Sequence, residues 1–126
     1  PFPEFIKDYG YEDLIFIENL RLNSVDVLHT ENLLILFNNE NSIDFIEKSE
    51  RAVKNLHALI QFQKIDPKNI RLAKAYLLLK KLYLTEIAKA FFQTAKNRIT
   101  NNLTSENPNL YLLDFYKLGY YCTLKK

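Results

Sequence analysis

Tryptophan and methionine are absent from these 126 residues, cysteine occurs once, and only two glycines and four prolines interrupt the chain. Each scarcity closes a class of explanation. One cysteine, Cys122, leaves no internal disulfide framework and no cysteine cluster for zinc, so a reducing compartment is the default. The two glycines, Gly10 and Gly119, stand far apart and supply no phosphate-cradling loop, which excludes nucleotide binding by such a loop. The longest apolar runs, residues 33–37 and 76–79, fall far short of a membrane span, and no secretion signal opens the chain. A cytoplasmic protein is therefore expected. Methionine is missing even at position 1, from which a processed product or a domain excised from a longer protein is expected.

Charge of either sign is also short of an excess. Seventeen basic and fifteen acidic residues leave a formal charge of +2, and no run of like charge gathers it into a patch. That is a weak footing for nucleic-acid binding. With 48% hydrophobic and 25% charged residues the composition is that of an ordinary folded protein. The length suits one core, and residues 1–126 are expected to form a single domain.

What is present is helical periodicity. With so few breakers and no strand run between turn dipeptides, an all-α fold is the simplest reading. Tyr11, Leu14, Ile15, Ile17 and Leu20 suggest a first helix ending near Asn23, after a proline-initiated turn over residues 3–9. Ser24 or Thr30 would cap a second helix through Phe37, and Ser42 a third. In the third, Phe45, Ile46, Ser49, Ala52, Val53, Leu56, Leu59 and Ile60 share one face, with Glu47, Lys48, Glu50, Arg51 and Lys54 on the other. Asp66 followed by Pro67 is a strong start signal for a fourth helix to about Leu82. Thr85 begins a fifth through roughly Thr100, and a sixth covers residues 110–124. Six helices on short polar loops imply antiparallel hairpins.

Ala52, Leu56 and Leu59 recur 36 positions later as Ala88, Phe92 and Ala95. This spacing, with small residues for close approach and large ones to lock, resembles a tetratricopeptide repeat. The match departs from the pattern at Tyr76, which replaces a small residue, and in lacking the terminal proline. The expectation is a tetratricopeptide-like bundle of about six helices.

Residues that carry chemistry are scarce. Arg51 and His57 lie six positions apart and point to different faces of a helix, which speaks against a ribonuclease-like pair. His29 has no spaced partner for a metal site, and Asp8, Glu12, Asp13 and Glu18 follow surface spacing. Neither a cofactor nor a metal is expected, and the chain reads as non-enzymatic. Six tyrosines crowd the second half. Without tryptophan or methionine most of them must fill the core, leaving about two for a groove. Residues 84–90 followed by 94–103 are similar to a helix-turn-helix, with Lys96, Asn97, Arg98, Asn101 and Asn102 able to touch phosphates and bases. Phe92 and Gln93 stand where its turn glycine and buried aliphatic would be, so direct nucleic-acid binding through residues 84–103 is the alternative reading.

Two segments, YGYEDLIFIENL at residues 9–20 and NPNLYLLDFYKLGYYCTLK at 107–125, resemble the carboxy-terminal helical-repeat domain of the Rgg/MutR-type regulators of Gram-positive bacteria. The closing helix shares the Phe-x-x-x-Gly-Tyr-Tyr character, here Phe115, Gly119, Tyr120 and Tyr121. The resemblance implies a short signalling peptide bound on a concave repeat surface, homodimerisation, and a DNA-binding domain upstream, outside this chain. Stacked hairpins present such a surface on physical grounds too. Arg71, Lys74, Tyr76, Lys81 and Tyr83, on or near the inner helix of the repeat alignment, are the expected ligand-binding residues. The leading expectation is thus a peptide- or protein-binding module, extended to the ligand-sensing and dimerisation part of a transcriptional regulator.

Overall fold

The computed structural model describes residues 10–26, 28, 31 and 39–124. Among them are α1 (Glu12–Leu22), α2 (Ser42–Gln61), a 3₁₀ turn (Pro67–Asn69), α3 (Arg71–Lys81), α4 (Thr85–Leu103) and α5 (Leu110–Leu124). The fold is all-helical as expected, with no strand among the described residues. The turn over residues 3–9, the helix expected through Phe37, and His29 lie outside them.

The last helix organises the rest. In LYLLDFYKLGYYCTL only Asp114, Lys117 and Thr123 interrupt apolar or aromatic side chains, and a helix apolar on all sides demands cover on all sides. It receives α2, α3 and α4. Along α4 the chain runs antiparallel to α5, since Phe92 meets Tyr116 and Gly119 while Leu103 lies by Leu113. α2 runs parallel to α5, because Glu50 meets Tyr116 and His57 meets Tyr121. The expected antiparallel hairpin is therefore present in α4–α5, whereas the principal partner of α2 is α5 and not its neighbour in sequence, α3.

Two linked cores result. Val53, Leu56, Ile70, Ala73, Tyr76, Tyr121 and Cys122 form one, and Ile46, Phe92, Ile99, Leu103 and Tyr116 the other. Close approach requires glycine twice. A Cβ on Gly119 would stand 2.5 Å from the Phe92 ring, and one on Gly10, whose φ is +99°, would stand 2.5 Å from the Ala52 Cβ. The Gly10 carbonyl then accepts a hydrogen bond from Nδ2 of the buried Asn55 at 2.5 Å, which moors the entry to α1 on α2. The small Ala52 thus makes room for the backbone of Gly10.

Local chemistry sets the boundaries. Asn41, not Ser42, caps α2: its Oδ1 accepts from the Asp44 N–H at 2.8 Å, and Ser42 is already helical. Asp66 accepts from the Lys68 N–H at 2.8 Å with Pro67 behind it, yet the helix this starts is a single 3₁₀ turn, and α3 begins only after Ile70. Oδ1 of Asn109 accepts from the Tyr111 N–H and opens α5. α1, α2 and α3 all end in the same paired closure. After α2 the Lys64 N–H reaches the Leu59 carbonyl and the Gln63 N–H reaches Ile60; after α3 the Leu84 N–H reaches Leu79 and the Tyr83 N–H reaches Lys80. Such closures place one residue in left-handed backbone, usually glycine. Here Ser24, Gln63 and Tyr83 occupy it, at φ 52°, 54° and 58°.

α4 is one unbroken helix from Thr85 to Leu103. The turn that a helix-turn-helix over residues 84–103 requires is absent. Phe92 and Gln93, having no reason to break the helix, continue it.

Candidate functional site

Where α1, the start of α3 and α5 converge, they leave a groove of about 580 Å³. Its apolar part comes from Leu14 on α1, Leu72 and Ala75 on α3, and Phe115 and Leu118 on α5, with Tyr11 and Ile70 completing the wall. These positions follow from the helical repeat. On α3, Ala73 and Tyr76 turn into the core, which brings Leu72 and Ala75 to its flank; on α5, Tyr116 and Gly119 face α4, Phe115 stands at the edge of that face with its ring 5.6 Å from Phe91 of α4, and Leu118 lies further round the helix. Burial raises the Tyr11 phenol above its ordinary range, so it stands neutral at the groove wall.

Asn69, Arg71, Asp114 and Lys117 complete the lining. None of the three charged side chains has an ion-pair partner among the described residues. α3 also starts with no side-chain cap and no acidic residue in its first turn, so the partial positive charge of its helix dipole is not offset by a carboxylate of its own. An apolar recess edged by two cations and one carboxylate can hold an amphipathic ligand with a terminal anion and a hydrogen-bond donor.

The five residues expected to bind ligand do not form one surface. Arg71 borders this groove. Lys81 and Tyr83 border a second, shallower recess at the α3–α4 corner, with Leu77, Lys80, Thr85 and Glu86. Lys74 is exposed and borders neither. Tyr76 is 6% exposed and packs on Tyr121 with ring centroids 4.9 Å apart, so it serves the core. The reason is geometric: consecutive turns of an 11-residue helix carry positions 71, 76 and 81 to different sides. Sequence reasoning missed Asn69, Asp114, Lys117 and Leu118. Their signal was available in Asp114 and Lys117, the two charges in an otherwise apolar α5.

A second polar constellation lies in the core. The Tyr116 phenol donates to Oε1 of Glu50, which also accepts from Lys96 Nζ at 3.2 Å. The Lys96 ammonium stands 5.8 to 6.0 Å from the ring centroids of Phe92, Tyr116 and Tyr120. Glu50, expected on the solvated face of α2, instead turns inward to meet the phenol. Burial, then the Glu50 hydrogen bond, raises the Tyr116 pKa, so the phenol stays a donor. His57 stacks edge-on against Tyr121 at 5.5 Å, and Arg51 is exposed. The buried Cys122 thiol is pushed up by desolvation and is a packing group.

Among the described residues no group of three His, Cys, Asp or Glu side chains could hold a metal ion, and no helix is long and apolar enough to cross a membrane. Compared with protein-family models, curated proteins and solved structures, the chain matches none.

Proposed function

We propose that this chain is a non-enzymatic helical module that binds a peptide or a protein segment in the groove between α1, α3 and α5. The observation that carries the reading is the combination there of an apolar wall with three charges that lack ion-pair partners among the described residues. Unpaired charge beside a recess is available to a ligand at no loss of internal pairing. Arg71 is the expected binding residue that keeps its place in this version of the site.

The finer description, a tetratricopeptide-like repeat, belongs to the same proposal. It is supported by the half-buried Ala88 and Ala95 on the side of α4 that meets the two cores, where small side chains admit close neighbours. So does the extension to the ligand-sensing and dimerising part of a cytoplasmic regulator of the Rgg/MutR type, with DNA contacts made by a domain outside this chain. That extension rests on the motif residues Phe115, Gly119, Tyr120 and Tyr121.

Native mass spectrometry of the chain after incubation with a peptide-sized cell extract tests the reading. The expected result is a discrete mass increment in the peptide range, lost in Leu118→Asp, which puts a charge in the groove wall, while circular dichroism stays unchanged. No increment with the unmodified chain, or an increment indifferent to Leu118→Asp, overturns it.

A further inference from the structure

The corner where α3 turns into α4 lies apart from the groove and shares no lining residue with it. From Leu77 to Ile87 every residue is exposed except Leu79 and Thr85. Six of the exposed side chains are large and apolar or aromatic: Leu77, Leu78, Leu82, Tyr83, Leu84 and Ile87. A cluster of this kind marks a contact surface. Tyr83 sits in the turn itself, 90% exposed and in the left-handed backbone where glycine is usual. Its ring is held outward at a backbone cost that packing within the chain does not offset.

The charge around these side chains has one sign. Residues 71–91 carry five basic side chains against the single acid Glu86, an excess of four where the whole chain has an excess of two. On α3, Lys74, Leu77, Leu78 and Lys81 follow at steps of three and four and share one exposed face. Leu77, Lys80, Lys81 and Tyr83 border the same shallow recess. Glu86 stands 3.8 Å from Lys89, whereas Lys74, Lys80 and Lys81 have no ion-pair partner among the described residues.

Three occupants fit this corner unequally. A second copy meeting it about a two-fold axis would set Lys80 and Lys81 against their own counterparts. An acidic protein would match the charge, but a corner exposed all round would need a cleft shaped to enclose it. A bilayer containing anionic lipids matches charge and shape together. Its headgroups take the ammonium groups, its acyl boundary admits apolar side chains from every side of a convex corner, and tyrosine suits that boundary. Lysine stems can lie along the apolar zone while their charged ends stay in water. Among the described residues no helix is long and apolar enough to cross a membrane, so the contact is with one leaflet.

We propose that the α3–α4 corner docks the chain on the surface of an anionic bilayer, with Leu78, Leu82, Tyr83 and Ile87 entering the headgroup–acyl boundary and Lys74, Lys80 and Lys81 on the lipid anions. The docking surface is independent of the groove and of what the groove holds.

The test floats the full chain with vesicles of phosphatidylcholine alone, or with about one third phosphatidylserine. The chain is expected to rise with the anionic vesicles and to stay behind with the neutral ones. The Lys80→Gln, Lys81→Gln double variant is expected to lower partitioning about thirtyfold. Arg51→Gln, Arg98→Gln removes the same charge from exposed positions on α2 and the far half of α4, and should lower it less than about threefold. Thermal melts confirm folding of each. Tyr83→Trp places one indole in a chain that has none, and its emission should shift to the blue on anionic vesicles. Absence of flotation, equal losses in the two double variants, or flotation without the emission shift overturns the proposal. Capture of the chain by soluble polyglutamate in preference to the vesicles assigns the corner to an acidic protein and equally overturns it.

Discussion

The phenol of Tyr116, in the middle of α5, donates a 2.5 Å hydrogen bond to Oε1 of Glu50 on α2. The same oxygen receives Lys96 from α4, so one carboxylate ties together three helices of the core. The phenol is 2% exposed, whereas the Lys96 side chain is 43% exposed, and the two arms of the link therefore differ in weight.

Tyr116→Phe keeps the ring packing and deletes only the donor to a charged acceptor. The expected loss is about 2 kcal/mol of unfolding free energy. Lys96→Met, removing the solvent-facing arm, should cost less than about 1 kcal/mol. Urea denaturation of both variants checks the order. Equal losses would show that the buried hydrogen bond carries no special share of the link.

Stability should fall on the alkaline side. Burial raises Tyr11, Tyr76 and Tyr116 and pushes Tyr121 up to about 12. The folded state favours the neutral phenols, while the unfolded chain releases their protons around the ordinary tyrosine value of 10.0. Stability is accordingly complete below pH 10 and declines as pH rises towards 12, where the unfolded chain binds fewer protons. Urea midpoints measured from pH 9 to pH 11.5 should trace this decline, and Tyr121→Phe should make it shallower. A midpoint independent of pH across that range would contradict the buried placement of these rings.

How far the sequence discloses this fold varies with the physics involved. The limits of α5 and the inward face of α2 follow from periodicity, because apolar residues at three- and four-residue steps have one way to be buried. The centrality of α5 was legible in principle from its lack of a polar face. Glu50 was not, since a carboxylate is placed outside unless its partner is known, and Tyr116 is 66 positions away. Helix ends were obscured for a related reason. Ser24, Gln63 and Tyr83 do the work usually given to glycine, and the only two glycines are spent on contacts with Ala52 and Phe92. Of the candidate site, Arg71 alone was anticipated, because a groove built from three separate segments leaves no local pattern.

Gly119→Ala offers a direct check on helix packing. In an exposed helix this change stabilises by roughly 1 kcal/mol, but here the added Cβ would meet Cγ and Cδ2 of Phe92 at 2.5 Å. A net loss of about 1–3 kcal/mol is expected from overpacking. Phe92→Leu should cost less in the Gly119→Ala background than alone, so a double-mutant cycle will show favourable coupling. Additive losses would mean that the two sites do not touch.

Tyr83→Gly tests the strained corner between α3 and α4. Tyr83 holds φ 58° and is 90% exposed, so its ring returns almost no packing for an uncomfortable backbone. Left-handed backbone costs an L-residue roughly 1–2 kcal/mol relative to glycine. The greater freedom of glycine in the unfolded chain returns about 0.4–1 kcal/mol of that. The substitution should therefore stabilise by about 0.5–1 kcal/mol, whereas Leu78→Gly, one turn earlier in right-handed helix, should destabilise by about 1 kcal/mol. Because Tyr83 lies outside the groove of α1, α3 and α5, peptide retention should be the same before and after the change. A weakened complex in Tyr83→Gly, with stability raised as expected, would move the binding surface to the α3–α4 corner.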